Sequence, residues 1–252
     1  MDGISRQQPE LQLANRNRGA GHEWVEKAPG LARRGVWRRE RGEMSGTGEG
    51  ARPSALLVCG PSGVGKGTLI ARLLEEFPNK FGFSCSHTTR KPREGEINGV
   101  HYHYVEKAEM LQDIDDGKFL EFAHVSSNIY GTSFDSVRKV IEQEQKSCVL
   151  DIDMQGAEQV HQDGSISKVG VFILPPSFEV LEERLRGRGT ETEEAIKIRL
   201  ETAKREIDFG ESDKEIFEHK LVNEDLEECY RKFKEIALLA YNGGRDFPSG
   251  EE

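Results

Sequence analysis

From residue 55 onward the chain alternates two kinds of apolar pattern. Short, nearly continuous apolar runs predict buried strands over residues 55–59, 82–86, 147–153, 168–174 and 219–223. Apolar residues repeating every three to four positions predict helices over 67–77, 106–115, 134–145, 177–186, 192–208 and 225–240. Strands and helices in alternation imply an α/β fold, a parallel sheet flanked by helices on both faces. Residues 87–132 break the rhythm with β-rich pieces such as HYHYV, FLEFAHV and NIYGT, which predict a small β-rich subdomain inserted into that core. Residues 1–52 are rich in Arg, Gly, Gln and Asn without periodicity, and read as a disordered extension despite holding both tryptophans, Trp24 and Trp37.

The first strand–helix junction carries chemistry. In ALLVCGPSGVGKGTLIARLL, residues 55–74, an apolar strand turns through glycines into an amphipathic helix. That geometry aims several backbone N–H groups and the positive end of a helix dipole at one point. Gly60, Pro61, Ser62, Gly63, Val64 and Gly65 form the turn, with glycines letting the backbone close around an anion. Lys66 adds a charge that reaches terminal phosphates, so the chain is expected to bind a nucleoside triphosphate through residues 60–68, in a P-loop NTPase fold. The position after this lysine usually bears a hydroxyl that ligates Mg²⁺, and here it is Gly67, followed by Thr68. Mg²⁺ is therefore expected to be held mainly by phosphates and water, with Thr68 as a further candidate ligand.

Composition narrows the classes. The 252 residues carry a net charge of −10, of which residues 1–52 contribute +3 and the remainder −13, against a general nucleic-acid binder. Four scattered cysteines form no metal-type spacing and read as reduced thiols of a cytoplasmic protein. No apolar run approaches the roughly 20 residues of a membrane span, and no secretory signal pattern opens the chain. The basic block at residues 32–41 is interrupted by glutamate, unlike a transit peptide, and Met44 opens a plausible natural start. No catalytic role is expected of the extension.

A second anion site is written in SHTTRKPREGEINGVHYHYV, residues 86–105. Arg90 and Arg93, three apart on a Gly- and Pro-containing loop with Tyr102 behind them, can fork one phosphate dianion or be ordinary surface arginines. At this point the chain, from about residue 54 to 240, resembles the guanylate kinases, which phosphorylate GMP with ATP. The motifs GPSGVGKGT, FSCSHTTRKPREGEINGVHY, FLEFAHVSSNIYGTS, CVLDIDMQG and RLRGRGTETEEAIKIRL stand in the family's order.

The resemblance implies that Arg90, Arg93, Tyr102 and Tyr130 hold the GMP phosphate, with Glu96 steadying their loop. It implies that Ser86 and Thr132 offer hydroxyls to guanine, that Glu121 accepts from its N1–H and 2-amino group, and that Asp153 faces GMP. Arg184, Arg188 and Arg199 would belong to a lid closing over ATP and the moving phosphoryl group, and Asn223 would lie near adenine. Thr190 with Glu193 reads as a capping box opening the lid's second helix. Asp151, at the carboxyl end of a parallel strand, suits a water-mediated contact to Mg²⁺. The implied organisation is an extension over 1–52 and a kinase domain over 53–252: core 53–85, 141–183 and 205–252, GMP-binding part 86–140, lid 184–204. His87, His101 and His103 are expected to have local roles only, since a GMP phosphate is already an anionic nucleophile.

Among rivals, a non-catalytic guanylate-kinase-like module that binds phosphopeptides is opposed by the intact phosphate loop and the lid arginines. A GTPase is opposed by Gly67 and the missing NKxD element. The expected partners are ATP and GMP alone, on a monomer without nucleic acid or membrane.

Overall fold

The computed structural model describes residues 54–125, 127–187 and 192–243. The extension and Arg188, Thr190 and Glu191 lie outside these described residues. A five-stranded parallel sheet forms the centre, in the order β2-β7-β1-β8-β9. Its strands are β1 (Ala55–Cys59), β2 (Phe81–Phe83), β7 (Ser147–Asp151), β8 (Lys168–Leu174) and β9 (His219–Val222). A second sheet, in the order β4-β3-β6-β5, contains β3 (His87–Thr88), β4 (His103–Tyr104), β5 (Phe119–Val125) and β6 (Asn128–Ser133).

Seven α-helices accompany them among the described residues: α1 (Lys66–Glu76), α2 (Lys107–Asp115), α3 (Phe134–Arg138), α4 (Met154–Asp163), α5 (Phe178–Arg186), α6 (Glu193–Ser212) and α7 (Leu226–Tyr241). Strand β1 shows why its sequence is apolar throughout. Leu56 and Val58 pack toward α1 and α7 with Leu69, Leu73 and Phe233, whereas Ala55, Leu57 and Cys59 face Ala157 and Val160 of α4. Both faces of the sheet are covered, so strict alternation with polar residues is lost.

Several expected boundaries move. Strand 82–86 is only Phe81–Phe83, and strand 147–153 stops at Asp151. The helix expected over 134–145 divides, because α3 passes at Lys139 into a π-helical turn, Lys139–Gln143, closed by the Glu144 amide on the Lys139 carbonyl at 3.0 Å. Helix α6 runs on to Ser212. Its N-cap is Thr192, which accepts from the Ala195 amide, and not the expected Thr190. Helix α4 has no counterpart in the pattern-based reading, although Asp153 caps its start and Gly164, at φ 64°, ends it.

The four cysteines are free thiols, with Cys59, Cys148 and Cys229 buried. Burial pushes Cys148 up to about 12 and Cys59 well above the ordinary thiol range, which leaves both unreactive. No described helix is long and apolar enough to cross a membrane.

Candidate active site

The phosphate loop leaves β1 at Cys59 and enters α1 at Lys66. Gly65, at the helix start, has φ 104°, and a Cβ there would sit 2.4 Å from the Asn223 side-chain nitrogen. A side chain is excluded by backbone strain and by space together. Asn223 is itself buried, donating from Nδ2 to the Val64 carbonyl at 2.8 Å, and so props the loop from beneath. Lys66 Nζ donates to the Gly60 and Pro61 carbonyls at 2.5 and 3.2 Å, curling over its own loop. The pocket above is lined by Gly60, Ser62, Lys66, Asp151, Ile152, Asp153 and Glu206.

Asp151 and Asp153 reach that pocket differently. Asp151 ends β7, whereas Asp153 lies beyond the strand and accepts from the Gly156 amide at 2.9 Å as the N-cap of α4. The strand expected over 147–153 thus carries only Asp151, although both residues line the same pocket. Their carboxylates offer oxygen donors of the type hard cations take, and Thr68 is exposed in the first turn of α1. Among the described residues no cluster of three metal-ligating side chains holds an ion unaided. A cation that keeps water and rides on phosphates fits this arrangement.

Across the cleft, the second sheet buries a polar chain. Ser86, Thr132 and Glu121 are all fully buried. Thr132 Oγ1 donates to Glu121 Oε1 at 2.6 Å, and Ser86 Oγ lies 3.0 Å from Thr132 Oγ1. Since Thr132 spends its one proton on Glu121, Ser86 donates to Thr132. The other carboxylate oxygen lies against Gly156, where a Cβ would approach to 2.7 Å. A glutamate placed beside the first turn of a helix meets a favourable dipole.

The arginine loop is organised by Glu96. It takes a two-pronged pair from Arg90, both bonds 2.9 Å, together with the Arg93 amide at 2.6 Å and the Tyr104 phenol at 2.8 Å. Burial alone would raise this carboxyl, but Arg90, the Arg93 amide and Tyr104 outweigh it and hold it at about 2. The Tyr104 phenol, half-buried and bonded to Glu96, rises to about 12, partial burial being the larger cause. Arg90 lies 5.5 Å from the Tyr102 ring, and Tyr102 in turn packs edge-on against Tyr104 and Tyr130. Arg93 is exposed on the same loop.

A carboxylate depressed on folding contributes stability that is complete above its free value and lost as pH falls through its folded value. Between the ordinary 4.5 and about 2, wild type should therefore lose stability that a Glu96→Gln variant lacks throughout. Denaturant titrations at stepped pH check this, and parallel curves for the two proteins would show that the pairing adds nothing.

A guanylate kinase family profile matches residues 52–239. The chain belongs to the guanylate kinase family. It is 55% identical over 192 residues to "Guanylate kinase 1" of Oryza sativa subsp. japonica, covering 76% of this chain and 49% of that protein. It is 48% identical over 183 residues to guanylate kinase of Schizosaccharomyces pombe, covering 73% and 89%, and 43% identical over 185 residues to that of Homo sapiens, covering 73% and 91%. The chain spans about half the length of the two plant relatives it matches, 49% and 51%. A crystal structure of guanylate kinase from Anaplasma phagocytophilum superposes with a TM-score of 0.56 at 30% identity, covering 74% of this chain and 86% of that one.

Within this guanylate kinase fold the arginines expected to form a lid have distinct settings. Arg184 Nη2 donates to the Asn223 carbonyl at 2.9 Å, and Arg199 Nη1 reaches Ser62 Oγ on the phosphate loop at 3.4 Å. Arg186 ties Glu182 of α5 to Glu193 of α6. Helices α5 and α6 run unbroken through the expected lid boundaries at 184 and 204. Arg188 lies outside the described residues.

Three residues of the site were not legible as such. Glu206, buried on α6, lines the pocket 140 residues after Lys66. Its one sequence signal is the seven-residue interval from Arg199, which puts both on one helix face. Tyr104 supplies the phenol that Glu96 accepts from. Gln159 lies on the unanticipated α4. Among the histidines, His101 Nδ1 accepts from the Ile97 amide at 3.0 Å, and His87 stacks on His103 with ring centres 4.7 Å apart. Burial, and then the neighbouring His103, hold His87 at about 4, so it is neutral at physiological pH.

Proposed function

We propose that the chain is a guanylate kinase in activity as well as family, transferring the ATP γ-phosphoryl group reversibly to GMP to give ADP and GDP. The observation that carries the reading is the fully buried Glu121, held by Thr132 and Ser86 in a site separate from the phosphate loop. A carboxylate there accepts from the N1–H and 2-amino group of guanine, whereas adenine offers neither donor. The Gly60–Thr68 loop and Asn223 take ATP. Arg90, Arg93, Tyr102 and Tyr130 take the GMP phosphate, with Glu96 fixing the loop and Asp153 facing GMP.

No general base is needed, because the acceptor phosphate is already an anion at neutral pH. The barrier lies in bringing two anions together and in the loose charge on the phosphoryl group in flight. Loop amides, Lys66, Arg93, Arg184, Arg188 and Arg199 supply fixed positive charge and in-line positioning against that barrier. Asp151 would hold Mg²⁺ through water, with Thr68 the hydroxyl within the loop, and the ion when bound would supply charge neutralisation at the phosphate oxygens. The protein acts as a cytoplasmic monomer on small molecules, without nucleic acid or membrane.

An ADP-release assay across GMP, AMP, CMP, UMP and dTMP, with ATP and Mg²⁺, tests the proposal. Turnover is expected with GMP far above the others. A different preferred base, or binding of GMP with no turnover, would replace it.

A further inference from the structure

Strand β5 is an edge of the second sheet, and an edge strand leaves alternate N–H and C=O groups without a strand partner. At Phe122 both outward groups are taken by one side chain. Gln159 of α4 accepts from the Phe122 amide through Oε1 at 3.1 Å, and its Nε2 donates to the Phe122 carbonyl at 2.8 Å. The same nitrogen donates to the Gln155 carbonyl at 3.2 Å, which holds the amide against its own helix. A primary amide presents an acceptor and a donor side by side, as a neighbouring strand does, so Gln159 closes the edge as a one-residue strand.

The residue before Phe122 is Glu121, and the same side of α4 serves both. Gly156, one turn before Gln159, gives Glu121 Oε2 its close approach, and Asp153, a further turn back, caps the helix and lines the Lys66 pocket. Positions 153, 156 and 159 thus join the phosphate-loop pocket to the base-reading carboxylate through one short helix. A site that discriminates by hydrogen bonds needs its groups held to within about 0.5 Å by their supporting residues. Gly156 leaves room for the Glu121 carboxylate and Thr132 bonds it, while the two bonds from Gln159 fix the Phe122 backbone, and so the strand segment from which Glu121 projects.

We propose that Gln159 is a positioning residue for base recognition, setting where Glu121 stands and thereby the affinity and preference for guanine. This rests on the reading of Glu121 given above. Gln159 itself touches no nucleotide and acts through the strand.

The test compares the full chain with Gln159→Met, which keeps length and helix propensity while removing both bonds at a half-exposed position. KM for GMP should rise about tenfold for the loss of two hydrogen bonds. Over the same change KM for ATP and kcat should stay within about twofold, the signature of lost ground-state binding on one side alone. The ratio of kcat/KM for GMP over IMP, which lacks the 2-amino group, should fall about fivefold. Gln159→Glu keeps the acceptor for the Phe122 amide but turns a carboxylate oxygen onto the Phe122 carbonyl, so GMP KM should rise at least as far as in Gln159→Met; it decides the matter alone if the methionine variant does not fold. Unchanged GMP KM and discrimination would overturn the proposal. So would a lowered melting temperature with kcat and both KM values affected alike, which marks a merely structural bond. If wild type gives no turnover, the kinase reading fails separately, and calorimetric GMP affinities of wild type and Gln159→Met decide: weaker binding by the variant supports the positioning role. Equal affinities, or no GMP binding by wild type, end it.

Discussion

Lys66→Met is expected to lower turnover by about 10²–10³ while GMP affinity stays within about twofold, the scale seen when one preorganised transition-state stabiliser is removed. Lys66 begins α1, and its Nζ bonds to the Gly60 and Pro61 carbonyls, within reach of the mouth of the pocket. Asp151, Asp153 and Glu206 line that same pocket, so the lysine is the cation set among three carboxylates where phosphates must enter. Methionine has similar length and leaves α1 its helix former, but brings no charge to meet the moving phosphoryl group. The proposed GMP site is built on other elements, Ser86, Glu121 and Thr132 of the second sheet and its approaches, and should not register the change. Coupled ADP-release kinetics read the turnover and calorimetry reads the GMP affinity. Equal loss of both would mean that Lys66 is a strut of the loop, with its two carbonyl bonds as its purpose.

The second large effect is expected at Glu121→Gln, read as selectivity rather than rate. Glutamine retains an oxygen to accept from Thr132, so the buried chain from Ser86 keeps its acceptor. Its other end becomes an N–H donor facing the N1–H and 2-amino donors of guanine, an opposition of like groups at a fully buried side chain. Sites that hydrogen-bond a substrate's N–H groups reject analogues lacking them by about 10⁴ or more, and most of that preference for GMP over AMP should vanish in the variant. The ratio of kcat/KM values for the two monophosphates is the measurement. A ratio equal to wild type would remove base reading from Glu121 and leave it as a buried support of β5 and β6.

The parts of this protein legible in its sequence are those whose signals are local. The strand 55–59, its glycine turn and the start of α1 lie within twenty residues, and each constrains the next: an apolar run, positions that exclude Cβ, a lysine, then helical spacing. Glu121 is different. Nothing around it on β5 separates it from an ordinary strand acid, because what distinguishes it comes from Thr132 on β6 and Gly156 on α4. Only the resemblance of whole motifs pointed to it. Helix α4 escaped because just Gly156, Ala157 and Val160 of its residues are buried, too few for a periodic apolar stripe. Its capping signal was present in Asp153, but the apolar run through β7 made that residue look like a continuation of the strand. Glu206 shows the same limit at longer range. Its burial depends on α6 folding across the phosphate loop, as does the approach of Arg199 to Ser62.

The π-helical turn after α3 has a related origin. Residues 134–145 carry helix formers at helical spacing, and the pattern alone gives no sign of the register slip at Lys139. Gly82 lies where a Cβ would come within 2.7 Å of Val140, so the packing of this turn against β2 depends on a bare backbone there. Tyr102 is buried with 3% exposure, and Tyr104, two residues on, supplies the phenol bonded to Glu96. That bond has no sign in the sequence, because it depends on how the loop carrying Glu96 folds back over β4.

Phosphoryl transfer between two bound nucleotides is tested most directly by following every phosphorus resonance in a mixture of the purified full chain with ATP, GMP and Mg²⁺. GDP and ADP should appear in equal amounts, and supplying those two products should regenerate ATP and GMP. ATP consumed without GDP formed, or GMP bound with no ADP released, would contradict it.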